Sequence, residues 1–300
     1  MKKNIQFNKY YKNFNILSIL LVFLSLSFLI FKGLNYGVDF KGGTLIEIRT
    51  LNNDIDISKL RKSFNNLNLG DVSLKNFGKE NDYIVKFEKK NINNPNFISE
   101  LKINLSNLIG DNFDFRRVEN VGPKVSAELL KSGVIAISLS LAAMLLYIWI
   151  RFEWQFSLGA IIALFHDVII TLGIFSLFSL EINLSIVAAI LTIVGYSMND
   201  TVVIYDRVRE NLYKYSSINI FELTNISINE TLSRTIITSV TTLLALISIY
   251  VFGGEILKGF SLAMILGVVF GTYSSIYIAN PILVRLNVSQ KTIIKEKENN

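Results

Sequence analysis

Six apolar blocks constrain this chain more than any other feature. They lie at residues 14–31, 131–150, 156–180, 184–206, 234–252 and 259–284. Each reaches or approaches the ~20 residues that a helix needs to cross the hydrocarbon core of a bilayer. The first block follows Lys2, Lys3, Lys9 and Lys12, and no small-residue cleavage site comes after it, so it reads as an uncleaved signal anchor. The composition agrees: 51% of residues are hydrophobic, and the 18% that are charged cluster between the blocks. The expected class is an α-helical polytopic membrane protein with six transmembrane helices.

Basic residues set the expected orientation. The N-terminal lysines, Arg151, the group Arg207, Arg209 and Lys214, and the C-terminal Arg285, Lys291, Lys295 and Lys297 fall on one side. The opposite short loops hold Glu181 in one and Glu255 with Lys258 in the other. Positive loops stay inside, so both termini are expected in the cytoplasm. The expected organisation is a cytoplasmic N-terminus at 1–13, a first membrane helix at 14–31, an extracytoplasmic domain at 33–128, a five-helix bundle at 131–286 and a cytoplasmic tail at 287–300. The net charge of +6 is then a record of topology and not a sign of nucleic-acid binding. The absence of cysteine excludes disulfides and thiolate metal sites, and a single histidine, His166, argues against a histidine-based metal site or a Ser-His-Asp hydrolase.

The region between the first two blocks has a pattern of its own. "TLIEIRT" (44–50), "VSLKNF" (72–77), "DYIVKFE" (82–88) and "FDFRRVENVG" (113–122) read as strands, the middle two joined by the turn "GKEN". "DISKLRKSFNNLNL" (56–69) and "PNFISELKINLSNLIG" (95–110) have helical spacing, the second opened by Pro95 and closed by Gly110. The order βαββαβ predicts a ferredoxin-like α+β domain. Such a domain suits the binding of an extended chain, and serves equally well as a plain structural cap. "VGPKVSAELLKSG" (121–133) reads as the linker back to the membrane.

Charges inside the blocks are the candidate site. Asp200 lies sixteen residues from Leu184, roughly 24 Å along the fourth span, and Arg234 lies eighteen from Phe252, roughly 27 Å along the fifth. If the two spans are neighbours, the charges can neutralise each other. Tyr196 and Asn199 share the side of Asp200, and Thr238, Thr241 and Thr242 that of Arg234, by i, i+3, i+4 spacing. Hydroxyls and an amide around an ion pair could relay a proton. The competing reading is an ion pair that only locks two helices, with Arg234 snorkelling to the inner interface. His166 and Asp167 on the third span are weaker candidates, since adjacent residues point to different faces of a helix; packing or a secondary relay fits them better than metal binding. "GVDFKGGT" (37–44) lacks the Lys-Ser/Thr of a phosphate loop and reads as a tight entry into the first strand. "GVVFG" (267–271) has the small-xxx-small spacing of closely packed membrane helices, and "DRVREN" (206–211) reads as a charge-paired boundary.

Several longer stretches, in order, resemble the SecD/SecF family of protein-export membrane proteins, in particular its smaller SecF-type subunits, within the resistance-nodulation-division superfamily. They are "YGVDFKGGT", "VGPKVSAEL", "RFEW" with "ALFHDVIITLG", "VGYSMNDTVVIYDRVREN" and "INETLSRTIITSVTTL". The resemblance implies a non-enzymatic subunit that pairs with SecD beside the SecYEG channel, with YajC and YidC as further neighbours. It implies use of the proton-motive force to promote late export of preproteins that SecA has started across a bacterial inner membrane. It assigns the functional acid to Asp200 and its basic partner to Arg234. Protons are the coupling ion, and no cofactor, ATP site or nucleic-acid partner is implied; membrane lipids are the surroundings. The alternative is a half-size proton-coupled exporter of small molecules or lipids, against which the single small outer domain argues. The one departure is an abundance of Asn, Lys and Ile in the outer and terminal regions.

Overall fold

The computed structural model describes residues 5–50, 57–67, 69–70, 72–77, 79–87, 96–109, 113–215, 218–290 and 292. Lys2, Lys3, Gly78, Pro95, Gly110, Lys291, Lys295 and Lys297, on which parts of the sequence reading drew, lie outside these residues.

A short 3₁₀ turn, Phe7–Tyr10, leads into helix α1 (Tyr11–Phe31). A two-residue strand β1 (Asn35–Tyr36) and a one-turn helix α2 (Val38–Lys41) follow. Next come β2 (Gly43–Thr50), α3 (Ile57–Asn65), β3 (Val72–Phe77), β4 (Lys79–Phe87), α4 (Phe97–Ile109) and β5 (Phe113–Val121). The remainder is helical: α5 (Pro123–Arg151), α6 (Trp154–Leu177), the short strand β6 (Glu181–Ile182), α7 (Leu184–Lys214), α8 (Ile220–Phe252) and α9 (Glu255–Ser274). A π-turn, Ser275–Ala279, joins α9 to α10 (Asn280–Arg285). Counting α9, the π-turn and α10 as one, six helical segments are long and apolar enough to cross a membrane.

The small domain is a four-stranded antiparallel sheet in the spatial order β3-β4-β2-β5. Alternation in β2 decides which side is buried: Ile46 and Ile48 turn inward with Val85 of β4 and pack on Leu60 and Phe64 of α3 and Leu101 and Leu105 of α4. On the opposite face Arg49 holds Asp82 through two bonds of 2.6 Å, a bidentate pair between residues that are cross-strand partners.

Several bonds fasten this domain to the helices. β1 pairs in parallel with β6, Lys86 of β4 forms an ion pair with Glu181 of β6, and Asp39 Oδ2 accepts a hydrogen bond of 2.9 Å from the Leu184 amide at the start of α7. The double glycine after α2 is needed here. Gly42 and Gly43 sit at φ of 78° and 131°, a region that side chains resist, and let the chain turn from α2 into β2.

The helices form two layers. α6, α7 and the α9–α10 segment are largely buried, whereas α1, α5 and α8 expose most of their apolar side chains. Three helices extend past the apolar blocks that predict them. The expected linker before the second span is helical from Pro123, because Gly122 and a proline at the first helical position start α5 there. α7 runs to Lys214, and α8 starts at Ile220, where the Asn219 side chain accepts a bond from the Phe221 amide. These polar extensions pair with one another: Arg151 with Asp206, Arg209 with Glu153, and Arg207 with both Glu210 and Glu230. The last span, continuous in the sequence reading, is broken by the π-turn.

Close approaches set the spacing of the layers. Gly267 and Gly271 let α9 lie against Ile193 and Ser197 of α7, as the small-xxx-small spacing predicts. Gly173 admits Ser25 of α1. The start of the chain is also held: the Asn225 side chain accepts the Phe7 amide at 2.8 Å, while Asn229 both accepts from the Ile5 amide and donates to the Ile5 carbonyl.

A Cβ at position 173 would lie 2.7 Å from Ser25 Cα. Gly173→Val is therefore expected to destabilise the α1–α6 contact by about 1–3 kcal/mol, measured as a fall in Tm or in half-life in detergent. Gly195→Ala, where no atom lies within 4 Å of the added carbon, should leave stability unchanged or raised.

Candidate functional site

Asp200 lies in the middle of α7 and is 3% exposed. Its Oδ2 accepts a hydrogen bond of 3.3 Å from Thr272 Oγ1 of α9. Thr272 in turn shares a hydrogen bond of 2.7 Å with Ser239 Oγ of α8, and Ser239 also reaches Asp200. Three helices therefore meet at one carboxylate through two hydroxyls, the kind of partnership a buried acid requires.

Arg234 stands differently from the sequence expectation. α7 and α8 are neighbours, and Arg234 is within electrostatic reach of Asp200. Among the described residues, however, no ion pair within 4.0 Å joins them, and Arg234 is exposed. The residue level with Asp200 on α8 is Ser239, five positions, roughly 7 Å along the helix axis, from Arg234. Counting depth from Leu184 and Phe252 treated those two ends as level. The other expected members divide. Tyr196 joins α7 to α8 by donating to the Thr238 carbonyl at 3.2 Å, and Thr238 Oγ1 donates back to the Arg234 carbonyl. Asn199 is exposed.

His166 and Asp167, which helix geometry assigns to different faces, are bonded to each other: His166 Nδ1 lies 2.9 Å from Asp167 Oδ1. Both faces are inside because α6 is surrounded by α1, α5, α7 and α9. Asp167 is 0% exposed and His166 4%. Asp167 Oδ2 accepts hydrogen bonds from Ser197 Oγ of α7 at 2.5 Å and Ser274 Oγ of α9 at 2.7 Å. The His166 ring stacks on Tyr273, with centroids 5.9 Å apart.

The two carboxylates thus hold the same pair of helices. Ser197 and Asp200 are three residues apart on α7; Thr272 and Ser274 are two apart on α9. The π-turn begins at the next residue. Ser275 donates to the Thr272 carbonyl, Asn280 Nδ2 to the Ser275 carbonyl and Tyr205 Oη to the Ala279 carbonyl. π-turns inside helices frequently accompany functional sites.

Sequence reasoning missed Ser197, Ser239, Thr272 and Ser274. The available signals were the i, i+3 spacing of Ser197 with Asp200 and the hydroxyl run "GTYSS" (271–275) in an otherwise apolar block. The polar groups gathered here are hydroxyls, two carboxylates and one imidazole, and among the described residues no group of three His, Cys, Asp or Glu could hold a metal. This arrangement can bind and pass a proton.

Fold and site together define a polytopic membrane protein with a buried acidic centre at the meeting of its inner helices. The chain belongs to the SecD/SecF family: residues 102–289 match the family described as "Protein export membrane protein SecD/SecF, C-terminal", and residues 27–50 match the "SecD/SecF GG Motif". It is 48% identical over 267 residues to a protein of Rickettsia bellii named Protein translocase subunit SecF, covering 89% of this chain and 88% of the relative. A protein of the same name from Rickettsia felis is 46% identical over 280 residues, 93% of this chain and 90% of the relative. Among solved structures, SecDF of Thermus thermophilus, described as a translocon-associated membrane protein, superimposes with a TM-score of 0.84 at 34% identity over 95% of this chain. SecDF in its super-membrane-facing form gives a TM-score of 0.71 at 32% identity over the whole chain. This chain spans 39% and 40% of those two longer chains.

Removing either hydroxyl that serves Asp167 leaves a fully buried carboxylate with one donor fewer. Ser197→Ala and Ser274→Ala are each expected to cost about 1–3 kcal/mol. Because they share one acceptor, the double variant should depart from additivity by about 0.5 kcal/mol or more, measured by thermal unfolding of the full chain in detergent.

Proposed function

We propose that this chain is the SecF-type accessory subunit of a Sec protein translocase, coupling the proton-motive force to late steps of protein export. The observation that carries this reading is Asp200, a carboxylate held in the core of three membrane helices by hydroxyls that can also accept. Protonating it adds a donor to a group that could only accept, and the Thr272–Ser239 pair, in which either hydroxyl can donate, can re-sort its hydrogen bonds in response. That rearrangement sits beside the π-turn of the last span. One charge moved through the field is worth about 2.3 kcal/mol per 100 mV, enough to bias such a rearrangement.

Partner and orientation belong to the same reading. Arg234 and Thr241 are exposed on α8 together with the apolar Ile237 and Leu244. A guanidinium facing lipid is costly, so another helix is expected to cover it. A SecD partner supplies that helix, and the greater length of the SecDF chains supports this. The SecYEG channel, with YajC and YidC nearby and SecA-driven preproteins as clients, is the setting. Arg151, Arg207, Arg209 and Lys214 favour a cytoplasmic position for the end of the bundle remote from the small domain, in a bacterial inner membrane. The small domain, of ferredoxin-like type, then lies outside and meets the emerging chain. Protons serve as the coupling ion.

Asp200→Asn should reduce proton-motive-force-dependent export of a secreted precursor in inverted vesicles by about tenfold or more, the scale of losing a positioned proton-transfer group. Arg234→Met should act in the same direction. Full export by Asp200→Asn at normal protein levels overturns the proton role. Recovery of SecD when the chain is purified from its own membranes tests the partner.

A further inference from the structure

We propose that the His166–Asp167 pair is a second proton-binding site, coupled to Asp200 and taking up its proton at His166 Nε2. The inference rests on the proton-coupled reading of Asp200 and extends it to a place that neither the family match nor the relatives' names assign.

The charge balance of the membrane core comes first. α1 carries no charged side chain between Lys12 and Lys32, and α5 none between Lys131 and Arg151. α6 contributes only His166 and Asp167 between Glu153 and Glu181. Between Leu184 and Val203 α7 contributes Asp200 alone, α8 contributes Arg234 alone after Glu230, and the last span none between Lys258 and Arg285. With His166 neutral, two carboxylates face one guanidinium, and one negative charge is left over in a region where a charge costs roughly 2.5–3.5 kcal/mol. One proton cancels it. The other titratable groups within the spans packed against α6 are tyrosines, Tyr273 and Tyr277 on the last span, Tyr196 and Tyr205 on α7, Tyr147 on α5 and Tyr11 on α1, of which Tyr273 stacks on the imidazole.

Geometry then selects the atom. Asp167 Oδ2 accepts from the Ser197 and Ser274 hydroxyls, and Oδ1 lies 2.9 Å from His166 Nδ1. That set fits an ionised carboxylate, an acceptor only. With Asp167 ionised, the imidazole is the Nδ1–H tautomer and Nε2 is the basic atom. Nε2 is buried and makes no hydrogen bond to any described residue. A carboxylate that orients a histidine through Nδ1 so that Nε2 can take a proton is a recurrent device in proton-transfer sites. Uptake at Nε2 turns a net-negative pair into a neutral imidazolium–carboxylate pair. The face of the Tyr273 ring, stacked on the imidazole at 23°, favours the cation.

Coupling to Asp200 follows from the shared helices. Ser197 and Ser274, which bind Asp167, flank Asp200 and Thr272 on α7 and α9. Ser274 has a second acceptor in its own helix, the Gly271 carbonyl at 3.2 Å, so it can leave Asp167 without being stranded. Carboxylates that interact across a low-dielectric core titrate as a set, and the shared contacts on α7 and α9 are the route by which a proton on one would alter the affinity of the other.

The chain has a single histidine, which makes the test direct. The full chain, carrying a purification tag without histidine, is labelled with ¹⁵N-histidine, placed in lipid bilayers and followed by NMR from about pH 4 to pH 9, a range that brackets the histidine reference value. The expected result is an Nδ1 that stays protonated throughout and an Nε2 that gains its proton reversibly. In Asp200→Asn the transition should move by about half a pH unit or more. In Asp167→Asn the Nδ1–H preference should be lost. An Nε2 that keeps one protonation state across the range, while circular dichroism shows the fold intact, overturns the proposal. A transition indifferent to Asp200→Asn overturns the coupling. Failure of the Asp200 reading is seen separately, as full export by Asp200→Asn, whatever the histidine signal does.

Discussion

The structure depends on satisfying Asp167. A carboxylate with no exposure, in the middle of a membrane helix, is tolerable only if every nearby donor turns to it. Its three partners come from α6, α7 and α9, the three helices that form the inner layer. Meeting that demand fixes where α7 and α9 stand against α6. Gly267 and Gly271 then allow the close approach that brings the serines within hydrogen-bond reach. Asp200 inherits its position from this frame. It lies one turn along α7 from Ser197, and its partner Thr272 lies two residues before Ser274.

The outer layer is held by weaker means. α1 rests on α6 through Ser25 at Gly173 and on α9 through Tyr273, whose hydroxyl bonds Ser18 Oγ at 2.7 Å and donates to the Phe14 carbonyl at 2.8 Å. α8 touches the inner helices through Ser239 and Tyr196 and leaves much of its surface uncovered. Its arginine lies on that uncovered side. The contrast is between a polar, hydrogen-bonded interior and an apolar α8 left open on one side.

Much of the fold was legible in the sequence, because hydropathy over ~20 residues and alternation over a few are averages that single residues rarely overturn. The six spans and the order of strands and helices in the small domain rest on such averages. Helix ends were less legible. Extensions such as 207–214 and 220–233 are polar, so hydropathy says nothing of them; their stability comes from pairs such as Arg207 with Glu230, made across helices. The site was legible in part. A charge in an apolar run announces itself, so Asp200, Arg234, His166 and Asp167 stood out. Which of them touch was not readable, since it depends on the relative heights of helices, and depth counting missed that offset by more than one helical turn. Serine and threonine are too common in membrane helices to mark a site individually, so the hydroxyl partners became visible only when three helices were seen together.

The anchoring of the chain's beginning has a further consequence. Asn225 and Asn229 grip residues 5–8 by main-chain atoms, across more than two hundred residues of sequence. Such a grip is indifferent to the side chains it holds, apart from Phe7, whose ring packs near Tyr277. Ile5 is therefore held without regard to its side chain, whereas Asn8 adds a bond of its own, its Nδ2 donating to the Phe221 carbonyl at 3.3 Å. The first helix is tied into the bundle. It is sewn to the fifth span at one end and to the third along its length, so the bundle closes only after most of the polypeptide has been made, and its first helix must wait in the bilayer for partners synthesised much later.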